Sequence, residues 1–211
     1  MNTEERELKE LCDSIRGVTE MVESWTRELR QERLARHRHA AGKMERLTSR
    51  GLLEVKRAGG LQAGHFRGYA SKFGEAHETS SYQLPPGWND VLAEGAFAST
   101  LSEHRNRNTR PVMLLQHDLS GLPIGKWTEV REDHRGLYVE GELAVGTSRG
   151  AEVNELLRMG AMDGLSIGFR VTKQSLDQKA RLRTIQAVDL FEISPVTIPA
   201  DPGARIQDVG A

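Results

Sequence analysis

The strongest constraint on the fold is a cadence of short β-like runs that begins near Phe66. H-F-R-G-Y-A-S-K-F is the first, and P-V-M-L-L-Q-H is the second, apolar enough for a buried strand. I-G-K-W-T-E-V-R and G-L-Y-V-E-G-E-L flank E-D-H-R and read as a hairpin. L-S-I-G-F-R-V-T, R-L-R-T-I-Q-A-V and D-L-F-E-I-S-P-V-T-I-P follow, the first two divided by a polar loop. Helical spacing interrupts this pattern twice. Over residues 90–103, Ala93, Ala96, Phe97 and Leu101 share a face; over 148–159, Ser148 stands as N-cap, Val153, Leu156 and Leu157 line one side, and Gly160 ends the helix. Many short strands with few helices predict an α+β chain, mainly β, built as a barrel or sandwich with helices packed outside.

The preceding stretch has another texture. Residues 1–50 hold no proline, and Leu8, Leu11, Ile15, Val18, Val22, Trp25 and Leu29 recur at alternating steps of 3 and 4. This heptad seam predicts a helical arm over residues 1–55, with residues 56–211 as a separate domain. Residues 1–26 carry seven acids and three bases, and residues 27–50 three acids and eight bases. Opposite-sign halves favour antiparallel self-association through residues 8–29; an amphipathic helix lying on its own domain is the plainer alternative.

Composition excludes several classes of function. A net charge of −1 gives no general reason to bind nucleic acid, and no apolar run approaches the length of a membrane span. The N-terminus is too charged for a signal peptide, so the expectation is a chain that is not secreted. Cys12 stands alone, leaving no internal disulfide and no cysteine-based zinc cluster, and no His/Asp/Glu cluster has ligand spacing; no metal or cofactor is expected.

The stretch D-G-L-S-I-G-F places Ser166 between Gly164 and Gly168, a spelling shared with the nucleophile elbow of α/β-hydrolases. That elbow needs a strand before the serine and a helix after it, with the histidine last in the chain. Here a helix precedes, a β-like run follows, and the histidines are residues 37, 39, 65, 77, 104, 117 and 134. The elbow reading therefore fails. A nucleophilic Ser166 must take its base from upstream. His37 and His39 lie in the charged arm, while His65, His77, His104 and His134 have the small, polar or charged neighbours of exposed residues. His117 alone closes an apolar run, although a histidine at a strand end needs no catalytic role.

Glu192, in D-L-F-E-I-S-P-V, is flanked by Phe191 and Ile193 and alternates with Leu190 and Ser194, which places a carboxylate at a half-buried position. Such a group needs a partner. His117 fits, and so does Arg170 or Arg183; Asp189 is a rival orienting acid on the opposite face, and Asp118 suits a turn cap better.

Together these pieces resemble the prohead proteases of tailed phages, from about Arg67 to Ala204. The resemblance is carried by R-G-Y-A-S-K-F, V-L-A-E-G-A-F-A-S-T-L, L-L-Q-H-D with P-I-G-K-W, E-D-H-R-G-L-Y-V-E-G-E-L, G-A-M-D-G-L-S-I-G-F and D-L-F-E-I-S-P-V-T-I-P-A, in that order. It implies a fold similar to herpesvirus assemblin, a small antiparallel β-barrel ringed by helices. It implies a serine endopeptidase with His117 as general base, Ser166 as nucleophile and Glu192 at the third place. Assemblin has a second histidine there, which this chain, without histidine after His134, cannot supply. The resemblance further implies the major capsid protein and scaffold as substrates, self-cleavage, and action inside the assembling prohead in the host cytoplasm. A catalytically silent assembly protein that keeps the fold is the alternative.

Overall fold

In a computed structural model, residues 56–57, 61–79 and 84–210 are described. The expected heptad arm and its self-association, residues 8–29, lie outside them. Ten strands and two helices follow in the order β1 (Lys56–Arg57), β2 (His65–Lys72), β3 (His77–Glu78), β4 (Asn89–Leu92), α1 (Ala98–Asn106), β5 (Val112–Met113), β6 (Gly125–Asp133), β7 (Gly136–Leu143), α2 (Ser148–Arg158), β8 (Gly164–Asp177), β9 (Leu182–Val196) and β10 (Ile206–Val209). The described chain is thus mainly β with few helices.

Sheet order runs β1-β10-β2-β7-β6-β5-β9-β4-β3, with β8 paired along β9. The start of β8 also reaches the approach to β10: Gly164 bridges Arg205, Leu165 N–H donates to Ala204 O at 3.1 Å and Ile206 N–H to Asp163 O at 2.8 Å. The hydrogen-bonded path from β10 through β2, β7, β6, β5, β9 and β8 therefore returns to β10. Inside it pack Phe66, Met113, Leu137, Val139, Leu165 and Ile193, each 1% exposed or less. Phe66 meets Trp127 edge to face at 5.5 Å.

Most pairings are antiparallel, as a mainly antiparallel barrel or sandwich requires, but β1–β10, β4–β9 and β5–β9 are parallel, which departs from a wholly antiparallel barrel. The long β9 explains two of them. With β8 along one edge, its other edge takes β4 at Leu182–Ile185 and β5 at Glu192–Ile193. The segment leading into α1 and α1 itself cross the gap: Val188 N–H donates to Ala96 O, and Leu190 N–H to Thr100 Oγ1. A helix crossover is the usual way to join two strands running the same way.

Local signals were partly misleading. Residues 90–92 belong to β4, so α1 starts only at Ala98. Thr147, not Ser148, caps α2, its Oγ1 accepting from Gly150 N at 3.1 Å. Val153 and Leu157 bury the inner face of α2, worth roughly 1.5–3 kcal/mol each. R-L-R-T-I-Q-A-V and D-L-F-E-I-S-P-V form one continuous strand, because the unbroken partner β8 pairs with both.

Candidate functional site

The hairpin of β8 and β9 fixes the first part of the site. Its register sets Ser166 opposite Ser194 and Gly168 opposite Glu192. Side chains two apart on a strand share a face, and directly opposed residues share it too, so all four lie together. Leu165, Ile167 and Ile193 take the other face, toward the core. Ser166, Glu192 and Ser194 are nevertheless only 6%, 5% and 0% exposed. A loop covers them.

That loop is the continuation of β5. Its strand character ends at Met113, and the chain then follows β9 by single bonds, Leu114 N–H to Ile193 O and Gln116 N–H to Pro195 O. The expected strand through His117 is therefore cut short. Gln116 and His117 instead adopt left-handed backbone, φ 56° and 59°, which is uncommon outside glycine. This turn carries the imidazole across β9 onto the face that holds Ser166 and Glu192.

His117 Nε2 lies 2.7 Å from Ser166 Oγ, and His117 Nδ1 lies 2.5 Å from Glu192 Oε1. Glu192 Oε2 accepts from Ser194 Oγ at 2.6 Å, and Ser194 Oγ accepts from His117 N–H at 3.2 Å. The proton positions can be assigned from chemistry. An ionised carboxylate only accepts, so His117 Nδ1 and Ser194 Oγ both donate to Glu192. With a neutral imidazole, Nε2 is the unprotonated nitrogen, and the Ser166 hydroxyl donates to it. Both oxygens of the buried carboxylate are satisfied, as burial of a charge demands.

The two glycines around the serine serve packing. A Cβ at Gly168 would stand 2.2 Å from Glu192 Oε1 and 2.8 Å from its Cγ. At Gly164 it would meet Val196 O at 2.7 Å and Pro199 Cδ at 2.9 Å. Gly168 thus vacates the space that the Glu192 side chain fills.

The structure also sorts the rivals. Asp189 pairs with Arg170 at 2.5 Å, away from the imidazole. Arg183, the other candidate partner for Glu192, is bound to Asp90 at 2.6 Å. Asp118 Oδ1 accepts from Ser120 N–H and Oγ–H, a turn cap. Among the other histidines, His134 is exposed as expected, whereas His65, His77 and His104 are half-buried, and His104 bridges Thr109 Oγ1 and Leu190 O. His37 and His39 fall outside the described residues. In the sequence Ser194 stood only as a strand neighbour of Glu192 and had no role; its one signal was that period-2 spacing.

Residues 52–210 match the Caudovirus prohead serine protease family. Over 156 residues the chain is 35% identical to the prohead protease of Enterobacteria phage HK97, covering 72% of this chain and 63% of that protein. It is 29% identical over 112 residues to the prohead protease of Escherichia phage T5, covering 53% of this chain and 51% of that protein. The chain therefore matches less than two thirds of either relative's length. The bacteriophage T4 capsid assembly protease aligns with a TM-score of 0.48 at 10% identity, over 71% of this chain and 92% of that one, too distant a likeness to carry an argument. The match over residues 52–210 takes in all ten described strands and the whole of the Ser166, His117 and Glu192 cluster, and on it the chain belongs to the Caudovirus prohead serine protease family.

Proposed function

We propose that the chain is a serine endopeptidase that processes capsid and scaffold proteins, and itself, during phage head maturation. The observation that carries this reading is the imidazole of His117 held between Ser166 Oγ and a buried Glu192. On the same reading the ring of strands is an assemblin-like barrel, and the enzyme works inside the assembling prohead.

The chemistry follows from the proton assignment. His117 Nε2 takes the Ser166 proton as Oγ bonds to the peptide carbonyl carbon. Glu192, accepting from Nδ1, stabilises the imidazolium and stays ionised. The imidazolium then gives its proton to the leaving amine as the C–N bond breaks, which leaves an ester on Ser166. Water, deprotonated by the same nitrogen, attacks that ester; the acyl C–Oγ bond breaks, the carboxylic acid product leaves, and the imidazolium returns its proton to Ser166 Oγ.

The test is coexpression with the major capsid protein of the same phage, wild type beside Ser166→Ala, read by intact mass. Shortened capsid protein, or shortened enzyme, with the wild type alone is the expected result. Full-length proteins in assembled shells with both variants would overturn the reading and favour a silent assembly protein.

A further inference from the structure

Ser194 is 0% exposed, and its one hydroxyl serves two groups that the proposed chemistry needs in place. It donates to Glu192 Oε2 at 2.6 Å and accepts from the His117 backbone N–H at 3.2 Å. Neither role can be exchanged. The backbone nitrogen can only donate and an ionised carboxylate can only accept, so the single hydroxyl proton must point at Glu192. Two features need such support. His117 sits with φ 59°, a backbone conformation that persists in non-glycine residues only where surroundings fix it. Glu192 uses Oε1 for the imidazole, and Ser194 Oγ is the donor that holds Oε2.

We propose that Ser194 is a positioning residue: through one hydroxyl it ties the strained turn of His117 to the carboxylate of Glu192, so that ring and carboxylate stay in register. The inference rests on the peptidase reading above. Its reach is narrow, because the hydrogen bonds of Ser194 go to Glu192 Oε2 and the His117 backbone N–H, not to Ser166 Oγ or His117 Nε2. The effect of its loss falls on how well His117 is aimed at Ser166. Outer partners that orient ligating histidines are typically worth about 10–100-fold, and a loss of that order is expected here.

The experiment follows the rate at which an alkyl fluorophosphonate labels the full chain across pH, a reaction in which a serine Oγ–P bond forms and fluoride leaves. Wild type, Ser166→Ala, Ser194→Ala and Ser194→Thr are compared, with thermal unfolding of each. The inference expects no label on Ser166→Ala and labelling slowed roughly 10–100-fold in Ser194→Ala. It also expects a changed pH profile in Ser194→Ala, loss of the downfield proton NMR signal of His117 Nδ1–H, and recovery in Ser194→Thr, which keeps the hydroxyl. Wild-type rate and profile in a folded Ser194→Ala, with Ser166→Ala unlabelled, would overturn the role of Ser194 and leave the peptidase reading standing. Undiminished labelling of Ser166→Ala would remove both. Should Ser194→Ala fail to fold, amide exchange in the wild type decides: the His117 N–H must be protected, and exchange at the rate of an open turn would sink the inference.

Discussion

Two of the buried carboxylates among the described residues, Asp90 and Glu192, have opposite kinds of partner. Asp90, 4% exposed, is gripped by Arg183, itself 5% exposed, through Nε at 2.8 Å and Nη2 at 2.6 Å, with Thr79 Oγ1 donating at 2.8 Å. Glu192, 5% exposed, is met by an imidazole and a hydroxyl. Arginine keeps its charge at any ordinary pH and spends its donors on the carboxylate, so the Asp90 pair can only hold β4 against β9. Histidine has a second nitrogen, and pairing Nδ1 leaves Nε2 at 2.7 Å from Ser166 Oγ, where the proposed chemistry has it exchange a proton. Burial alone therefore does not separate the two carboxylates; on the proposed reading, the partner's ability to change protonation does.

Several changes should break or sharpen that contrast. The largest effect is expected from Glu192→Gln, which offers an amide where His117 Nδ1 needs an anion. Peptide cleavage should fall on the order of 10⁴-fold with little change in unfolding temperature, by analogy with the loss of an orienting aspartate in a serine triad. Arg183→Ala should do the reverse. It strands a buried Asp90 at a cost of about 3–5 kcal/mol in chemical denaturation, while the cleavage rate per folded molecule holds. Gly168→Ala should fall between them, because its Cβ collides with Glu192. We expect about 1–3 kcal/mol of destabilisation together with reduced cleavage, seen by running denaturation and activity on one preparation.

The smallest effect concerns pH. Burial pushes the Glu132 carboxyl above the ordinary glutamate range, against the opposing hydrogen bond from Phe97 N–H at 2.8 Å. A raised value means the native state holds that proton to higher pH than the unfolded chain does. This contribution to stability is present at low pH and is lost as pH rises through the raised value. Asp133 has the opposite sign: burial acts to raise it, but hydrogen bonds from Arg135 N–H, Tyr69 and Arg131 outweigh burial and lower it, so its contribution fades as pH falls. Thermal unfolding compared across acidic pH should show that Glu132→Gln lacks the loss of stability with rising pH that Glu132 is expected to contribute to the wild type.

Much of this was legible in the sequence, and the failures have physical causes. The β-cadence after Phe66 and the hairpin around E-D-H-R follow from periodicity and turn residues, which act locally. The pairing of His117 with Ser166 and Glu192 was approachable because a buried acid needs a partner and a serine, if it is to act as nucleophile, needs a base within reach. What stayed hidden was non-local. The turn that seats His117 depends on a left-handed backbone at Gln116 and His117, which neither residue type announces. The parallel strands on β9 depend on a crossover through α1, and Arg183 looked as good a partner for Glu192 as His117 until the register sent it to Asp90. Ser194 resembled any small residue in a strand, because its importance lies in what stands on either side of it.

The most direct test of the central claim is to map where an alkyl fluorophosphonate attaches, by peptide mass spectrometry, on the wild type, His117→Ala and Arg183→Ala. The account predicts a single adduct on Ser166 in the wild type, none in His117→Ala, and the same adduct in folded Arg183→Ala. An adduct on another residue, or one on Ser166 that forms as fast without His117, would contradict it.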